Sequence, residues 1–232
     1  TRHHQSVRAF CQGGIDAPDP TRIGYLPATS GSWPALTVRE NMDFVGGIYG
    51  LAGTALDVAR DRLLDRAGLT AAADRPASQL SGGMRRKLGF ALAMVHDPPL
   101  LVLDEPTTGV DPVSRVDLWR LVSEAAAAGA AVLMSTTYLD EAERAGTLLV
   151  LDDGRTLARG SLEEVLASFD GAITTTTTPV RPEWAWRRGR VHHECWPEGT
   201  SPPAGSTEVV ADIEDVVVAL SMTSRAPQGV ET

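Results

Sequence analysis

The stretch Leu100-Leu101-Val102-Leu103-Asp104-Glu105-Pro106-Thr107-Thr108-Gly109-Val110-Asp111-Pro112 decides how this chain folds. Four consecutive apolar residues ending in two carboxylates read as a strand buried on both faces of a parallel sheet. Asp111-Pro112 supplies an N-cap and a first-turn proline for a helix running to the alanines before Gly129. Val132-Leu133-Met134 then reads as a second buried strand. Strand, helix, strand in that order implies a right-handed parallel crossover and an α/β fold. A carboxylate at the C-terminal end of such a strand faces the crevice where parallel sheets bind ligands. Asp104 suits a Mg²⁺ ion held through water, because Mg²⁺ keeps several of its waters. Glu105, one residue further, is placed to polarise an attacking water.

Working upstream, Leu80-Ser81-Gly82-Gly83-Met84 is followed by Arg85, Arg86 and Lys87. Ser81 opens a helix that carries Leu88, Leu92 and Val95 on one stripe and stops before Pro98. A serine and two glycines at a helix start let a phosphate reach bare backbone N–H groups, aided by the helix dipole. Alone, the same residues read as well as a serine-capped helix after a glycine turn. The three basic residues that follow are expected on a face turned to solvent or to a partner. Further upstream, Arg22 to Leu26 forms a short strand ended by Pro27, and Thr37 with Glu40 makes a capping box for a helix reaching Tyr49. Leu56 to Ala67 is a second helix, stopped by Gly68, so residues from about 37 to 96 are mostly helical.

Downstream, Thr147 to Leu151 and Arg155 to Ala158 form a hairpin across Asp153-Gly154, and Ser161 with Glu164 caps another helix. Past Phe169 come five threonines (Thr174 to Thr178), then Trp184, Trp186 and Trp196 around the basic turn Arg187-Arg188-Gly189-Arg190. This marks a β-rich appendage with a last helix at Ile213 to Leu220, giving two regions, 1–169 and 170–232. His192, His193 and Cys195 read as part of a hairpin, since no fourth metal ligand is suitably spaced. Gly13-Gly14 reads as a turn.

The 232 residues hold 21 Lys plus Arg against 30 Asp plus Glu, a formal net charge of −9, which argues against a protein that coats nucleic acid. The two cysteines, Cys11 and Cys195, cannot make a disulfide framework, and a reduced setting is expected. The longest uncharged stretch, Ala125 to Leu139, falls short of the roughly 20 apolar residues a membrane span needs. No signal peptide is visible, and the first residue is Thr1 rather than Met, so a piece of a longer protein is expected.

Together these motifs, from about Ile23 to Leu166, strongly resemble the nucleotide-binding domain of ABC transporters. LSGGM (Leu80 to Met84) is similar to the family's signature motif, LLVLDE (Leu100 to Glu105) to its Walker B strand, and Gly109-Val110-Asp111-Pro112 to its D-loop. IEDVVVAL (Ile213 to Leu220) resembles its C-terminal helix, and the wording of the D-loop points to the exporter branch and its ribosome-associated tandem relatives. The resemblance implies a P-loop NTPase fold, a parallel sheet flanked by helices with a helical subdomain, binding ATP and Mg²⁺. It implies a head-to-tail dimer with a second ABC nucleotide-binding domain, an integral-membrane permease as partner, and a cytoplasmic place at the inner face of the membrane. No nucleic-acid partner is implied. In that scheme Asp104 serves Mg²⁺, Glu105 is the catalytic residue, and Ser81, Gly82, Gly83 and the D-loop residue Asp111 serve the partner's nucleotide.

The chain departs from the family pattern in three places. No G-x-x-x-x-G-K-[ST] loop occurs, so the start of the domain is expected to be missing. Ala28 stands where the family places a glutamine after IGYLP, and Thr137 where it places a switch histidine. These departures predict an asymmetric role, in which the chain completes a partner's ATP site while its own site hydrolyses slowly or not at all. The alternative is a non-catalytic regulatory or structural module. A missing phosphate-loop strand beside the Walker B strand also predicts lost packing at Leu101 and Leu103, and an unstable isolated chain.

Overall fold

The computed structural model describes residues 19–225, so Cys11 and the Gly13-Gly14 turn lie outside the described residues. Two compact units divide between Thr137 and Tyr138.

The first unit is built on a parallel sheet of β1 (Ile23–Leu26), β2 (Leu100–Asp104) and β3 (Ala131–Ser135), in that spatial order. β2 lies in the middle, with Leu26 opposite Leu103 on one side and Asp104 opposite Ser135 on the other. This corrects the expectation that Leu101 and Leu103 lose packing. They are 0% and 1% exposed: β1 and β3 pair with both edges of the strand, and apolar residues of the helices before and after it cover the face these leucines occupy. They share one apolar cluster with Leu88, Phe90, Leu118 and Leu121. Among the described strands β1 and β3 are both edges of this sheet, and β3 is not the buried strand its apolar residues predict, since Leu133 is 55% exposed and Val132 and Met134 are half-buried.

Helix α1 (Val38–Ile48) starts as its sequence dictates. Thr37 Oγ accepts from the Glu40 N–H and the Glu40 carboxylate accepts from the Thr37 N–H, so the capping box is closed. The fully buried Asn41 anchors the preceding loop, accepting from Trp33 N–H at 2.7 Å and donating to the carbonyls of Trp33, Leu36 and Thr37. α2 (Gly53–Arg66) follows, and α3 (Gly82–Met94) then leads to β2. α3 lies against β1 at backbone distance. A Cβ on Gly24 would run into the Ala93 carbonyl, and one on Gly89 would meet the Ser30 carbonyl and, at 2.7 Å, Leu26 Cδ1. α4 (Pro112–Ala127) links β2 to β3, with the side chain of its N-cap Asp111 accepting from Ser114 N–H.

The second unit begins with the short α5 (Leu139–Ala142) and the hairpin of β4 (Leu148–Asp152) and β5 (Arg155–Gly160). Asp153 (φ 47°) and Gly154 (φ 76°) take the two left-handed positions of a tight two-residue turn. Ser161 and Glu164 close the second capping box, on α6 (Leu162–Leu166). An antiparallel sheet follows, made of β6 (Gly171–Thr176), β7 (Ala185–Arg188), β8 (Val191–Pro197) and β9 (Thr207–Glu208) in the order β7-β8-β6-β9. It packs on α7 (Ile213–Arg225) through a small core of Ile173, Cys195 and Ala219 with Trp184 and Trp186 against it. Arg188 of the basic turn is not simply solvated: it is ion-paired with Asp212, Glu214 and Asp215 at the start of α7. His193 Nδ1 lies 2.8 Å from Asp215, and the described residues contain no metal-binding cluster of three or more His, Cys, Asp or Glu. Among the described residues no helix is long and apolar enough to cross a membrane.

Candidate functional site

Two loci carry the residues singled out in the sequence, and both lie in the first unit. The first is the tip of α3. Ser81 is its N-cap, with Oγ accepting from Met84 N–H at 3.2 Å while the hydroxyl hydrogen remains able to donate. The structure separates the two glycines. Gly82 is exposed, and a Cβ there would find nothing nearer than the Gly109 carbonyl at 3.9 Å, so the space beside its Cα is open. Gly83 is buried against the start of α4, where a Cβ would lie 2.5 Å from Ser114 Cβ and closer still to Ser114 Oγ. One glycine gives access and the other gives packing. The tip thus offers a hydroxyl, backbone N–H groups and the positive end of a thirteen-residue helix, which suits an anionic phosphate oxygen.

The tip forms one wall of a crevice of about 210 Å³. Its lining includes Ala28, Ser30, Gly82, Arg86 and Gly109, so residues expected from the sequence at three separate motifs share this space. Asp111 caps α4, and the N–H and hydroxyl of Ser114 hold its carboxylate below the usual range.

The second locus is the C-terminal end of the parallel sheet. Ser135 Oγ donates to Asp104 Oδ1 at 2.8 Å and accepts from Glu105 N–H at 3.0 Å, bridging the two acidic residues. Glu105 takes φ 44°, a left-handed conformation that costs a non-glycine residue about 1–3 kcal/mol. Several bonds hold it there, among them one from Thr108 N–H to the Glu105 carbonyl at 3.3 Å. Besides Ser135, Thr108 Oγ1 donates to Glu105 Oε2 at 3.0 Å, and Arg86 Nη2 donates to the Glu105 carbonyl at 2.6 Å. Thr137 is exposed, two residues beyond Ser135. The Asp104 carboxylate is a hard oxygen donor of the kind that would hold Mg²⁺ through its waters. Such an ion would supply positive charge beside a bound phosphate chain.

Sequence reasoning missed Arg86, Ser135 and Ser114. Instead of forming one outward face, the basic run splits three ways. Arg85 donates to the Leu80 carbonyl, Lys87 pairs with Asp117 at 2.9 Å, and Arg86 is 6% exposed. The helical spacing held the signal, since Arg86 lies one turn before Gly89 and Phe90, both buried.

Comparison with known proteins places these motifs in context. The sequence profile described as ABC transporter matches residues 11–108. A probable multidrug ABC transporter ATP-binding protein, YbhF of Escherichia coli, is 39% identical over 157 residues, covering 68% of this chain and 27% of that protein. Nod factor export ATP-binding protein I of Ralstonia nicotianae is 39% identical over 146 residues, covering 62% of this chain and 46% of that protein. The chain therefore spans about a quarter to a half of the length of these relatives. A solved ATP-binding subunit of an ABC transporter superposes with a TM-score of 0.57 at 30% identity, covering 63% of this chain and 62% of that one. CbiO1 of Clostridium perfringens, described as part of the ABC transporter complex CbiONQ, gives a TM-score of 0.57 at 25% identity, covering 64% of this chain and 60% of that one.

Proposed function

Because this chain carries an ABC transporter ATP-binding domain with the mixed α/β fold of ABC ATPases, we propose that it works as one half of an ATP-driven export machine. In this reading its partners are a second ABC nucleotide-binding domain and an integral-membrane permease, and it sits at the cytoplasmic face of the membrane. The tip of α3 completes the ATP site of the second domain. The observation that carries this is the exposed Gly82, next to the Ser81 hydroxyl and unobstructed by its own fold. Ser81 donates to a phosphate oxygen, the N–H of Gly82 adds a second donor, and the helix dipole favours the negative charge. Asp111 fixes the start of α4 beside them.

The chain's own strand-end site is weaker in this reading. Glu105 and Asp104 are held in place, but Ala28 offers a methyl group where a polar side chain would orient water. Thr137 offers a hydroxyl without a titratable ring. Those two residues also favour a second reading, a non-catalytic module that holds a tandem assembly together.

The test mixes the chain with a competent second ABC nucleotide-binding domain and follows ATP turnover and ATP-dependent association. Stimulation that Ser81→Arg abolishes supports the first reading. Stimulation indifferent to that substitution refutes the role of the tip, and a complete lack of ATP-dependent association selects the structural module.

A further inference from the structure

The Arg86 side chain leaves the second turn of α3 and ends on two carbonyls, each in the residue that follows a different strand. Nη1 donates to Pro27 O at 2.7 Å and Nη2 to Glu105 O at 2.6 Å. Pro27 follows the last residue of β1 and Glu105 follows the last residue of β2, and these strands are paired, with Leu26 opposite Leu103. A planar guanidinium can span two acceptors in this way, whereas an ammonium can serve only as a point donor. Pro27 immediately precedes Ala28 on the crevice wall, and Glu105 is the residue in left-handed conformation. The same side chain therefore touches the loop at the glutamine position, the backbone of the acidic strand end, and the helix whose first residue is Gly82.

We propose that Arg86 is a positioning residue that sets where the α3 tip stands relative to the strand ends, and so how Ser81 and Gly82 are presented to a nucleotide held by the second domain. The proposal rests on the reading of the tip given above. Nothing in it requires Arg86 to touch nucleotide, since both carbonyls already engage its fork. Burial draws the guanidinium below the usual arginine range, while the Asp104 and Glu105 carboxylates act in the opposite direction. The cation thus also compensates two acidic groups crowded at one strand end. Removing the fork frees the tip to shift by a fraction of an ångström. Ground-state binding tolerates such a shift, but stabilisation of a transition state does not.

The test uses the full chain, a second ABC nucleotide-binding domain with an intact phosphate loop, and MgATP as the probe. For Arg86→Lys, which keeps the charge and loses the fork, kcat of the stimulated turnover is expected to fall about 10- to 100-fold, with KM and ATP-dependent association within about twofold of wild type. Ser81→Arg, run in parallel, removes association and turnover together. An unchanged kcat in Arg86→Lys, or a loss of association in step with kcat, overturns the positioning role even though Ser81→Arg still shows the tip at work. Full association by Ser81→Arg overturns the reading of the tip and the role of Arg86 with it. Arg86→Ala assayed with and without ethylguanidinium covers the case of a poorly folded lysine variant: recovery of kcat supports the proposal, and no recovery refutes it.

Discussion

Adjacent glycines at the α3 tip allow packing and ligand access to be separated with one methyl group. Gly83→Ala would place a Cβ 2.5 Å from Ser114 Cβ, 3.1 Å from Asp111 Oδ2 and nearer still to Ser114 Oγ, well inside contact distance. Inserting a carbon into such a contact costs about 1–3 kcal/mol, because α3 and α4 must part or a rotamer must strain. Taking about 2 kcal/mol, a chain of this size should melt about 4–8 °C lower. Gly82→Ala meets no atom closer than 3.9 Å, and alanine is the better helix former, so its melt should match wild type or exceed it slightly. Function should divide the other way. If the tip acts on a partner's nucleotide as proposed, a methyl at Gly82 should crowd the approaching phosphate, and the stimulation of a second nucleotide-binding domain should be lost despite an intact fold. Thermal melts followed by circular dichroism, with turnover measured on the same preparations, decide the matter. Ser114→Gly added to Gly83→Ala should recover part of the lost stability, a non-additive effect expected only of residues in contact. Equal melts for the two single variants would refute the packing argument, and full stimulation by Gly82→Ala would refute the access argument.

Three further outcomes follow from residues elsewhere in the chain. Asn41→Ala strips partners from the Trp33 N–H and from three carbonyls in a fully buried position, and should lower stability by about 2–4 kcal/mol in urea titrations. Glu124 is held below the usual glutamate range, first by its bond to Arg66 and then by Arg120. A carboxyl depressed in the folded state contributes stability above its ordinary unfolded pKa, of about 4.3, and loses it as pH falls through the lower folded value. The melting temperature should therefore drop on acidification through that window, and less steeply in Arg66→Met, as parallel melts between neutral and acid pH will show. Cys195 is fully buried and its thiol is pushed up to about 11, so iodoacetamide at pH 8 should leave the Cys195 peptide unmodified until denaturant is added, as read by mass spectrometry.

What was legible in the sequence was mostly local. The capping boxes at Thr37–Glu40 and Ser161–Glu164 and the turn at Asp153-Gly154 depend on residues three or fewer positions apart, and each appears in the structure as its residue types dictate. The apolar run of β2 was legible as a central parallel strand, but not its burial: Leu101 and Leu103 are buried while Leu100 and Val102 on the other face are half-buried, where burial on both faces was expected. Register and neighbour order were not legible. That Asp104 faces Ser135 depends on a pairing across some thirty residues, and the flanking of β2 by β1 and β3 depends on the fold as a whole. The expectation of a stripped β2 failed at Leu101 and Leu103 for that reason. Arg86 was expected on an outward face because charge argues for solvent, and the two carbonyls it meets make its burial tolerable. Gly82 and Gly83 read alike in sequence. Only the position of Ser114 tells the door from the hinge pin.

α3 rests on β1 at two points, through Gly24 and Gly89, each without room for a methyl group. Both contacts lie in the C-terminal half of α3, at Gly89 and Ala93. The first turn, with Ser81 and Gly82, lies ahead of them, so its seat depends on the Arg86 fork and on the Gly83–Ser114 contact rather than on β1.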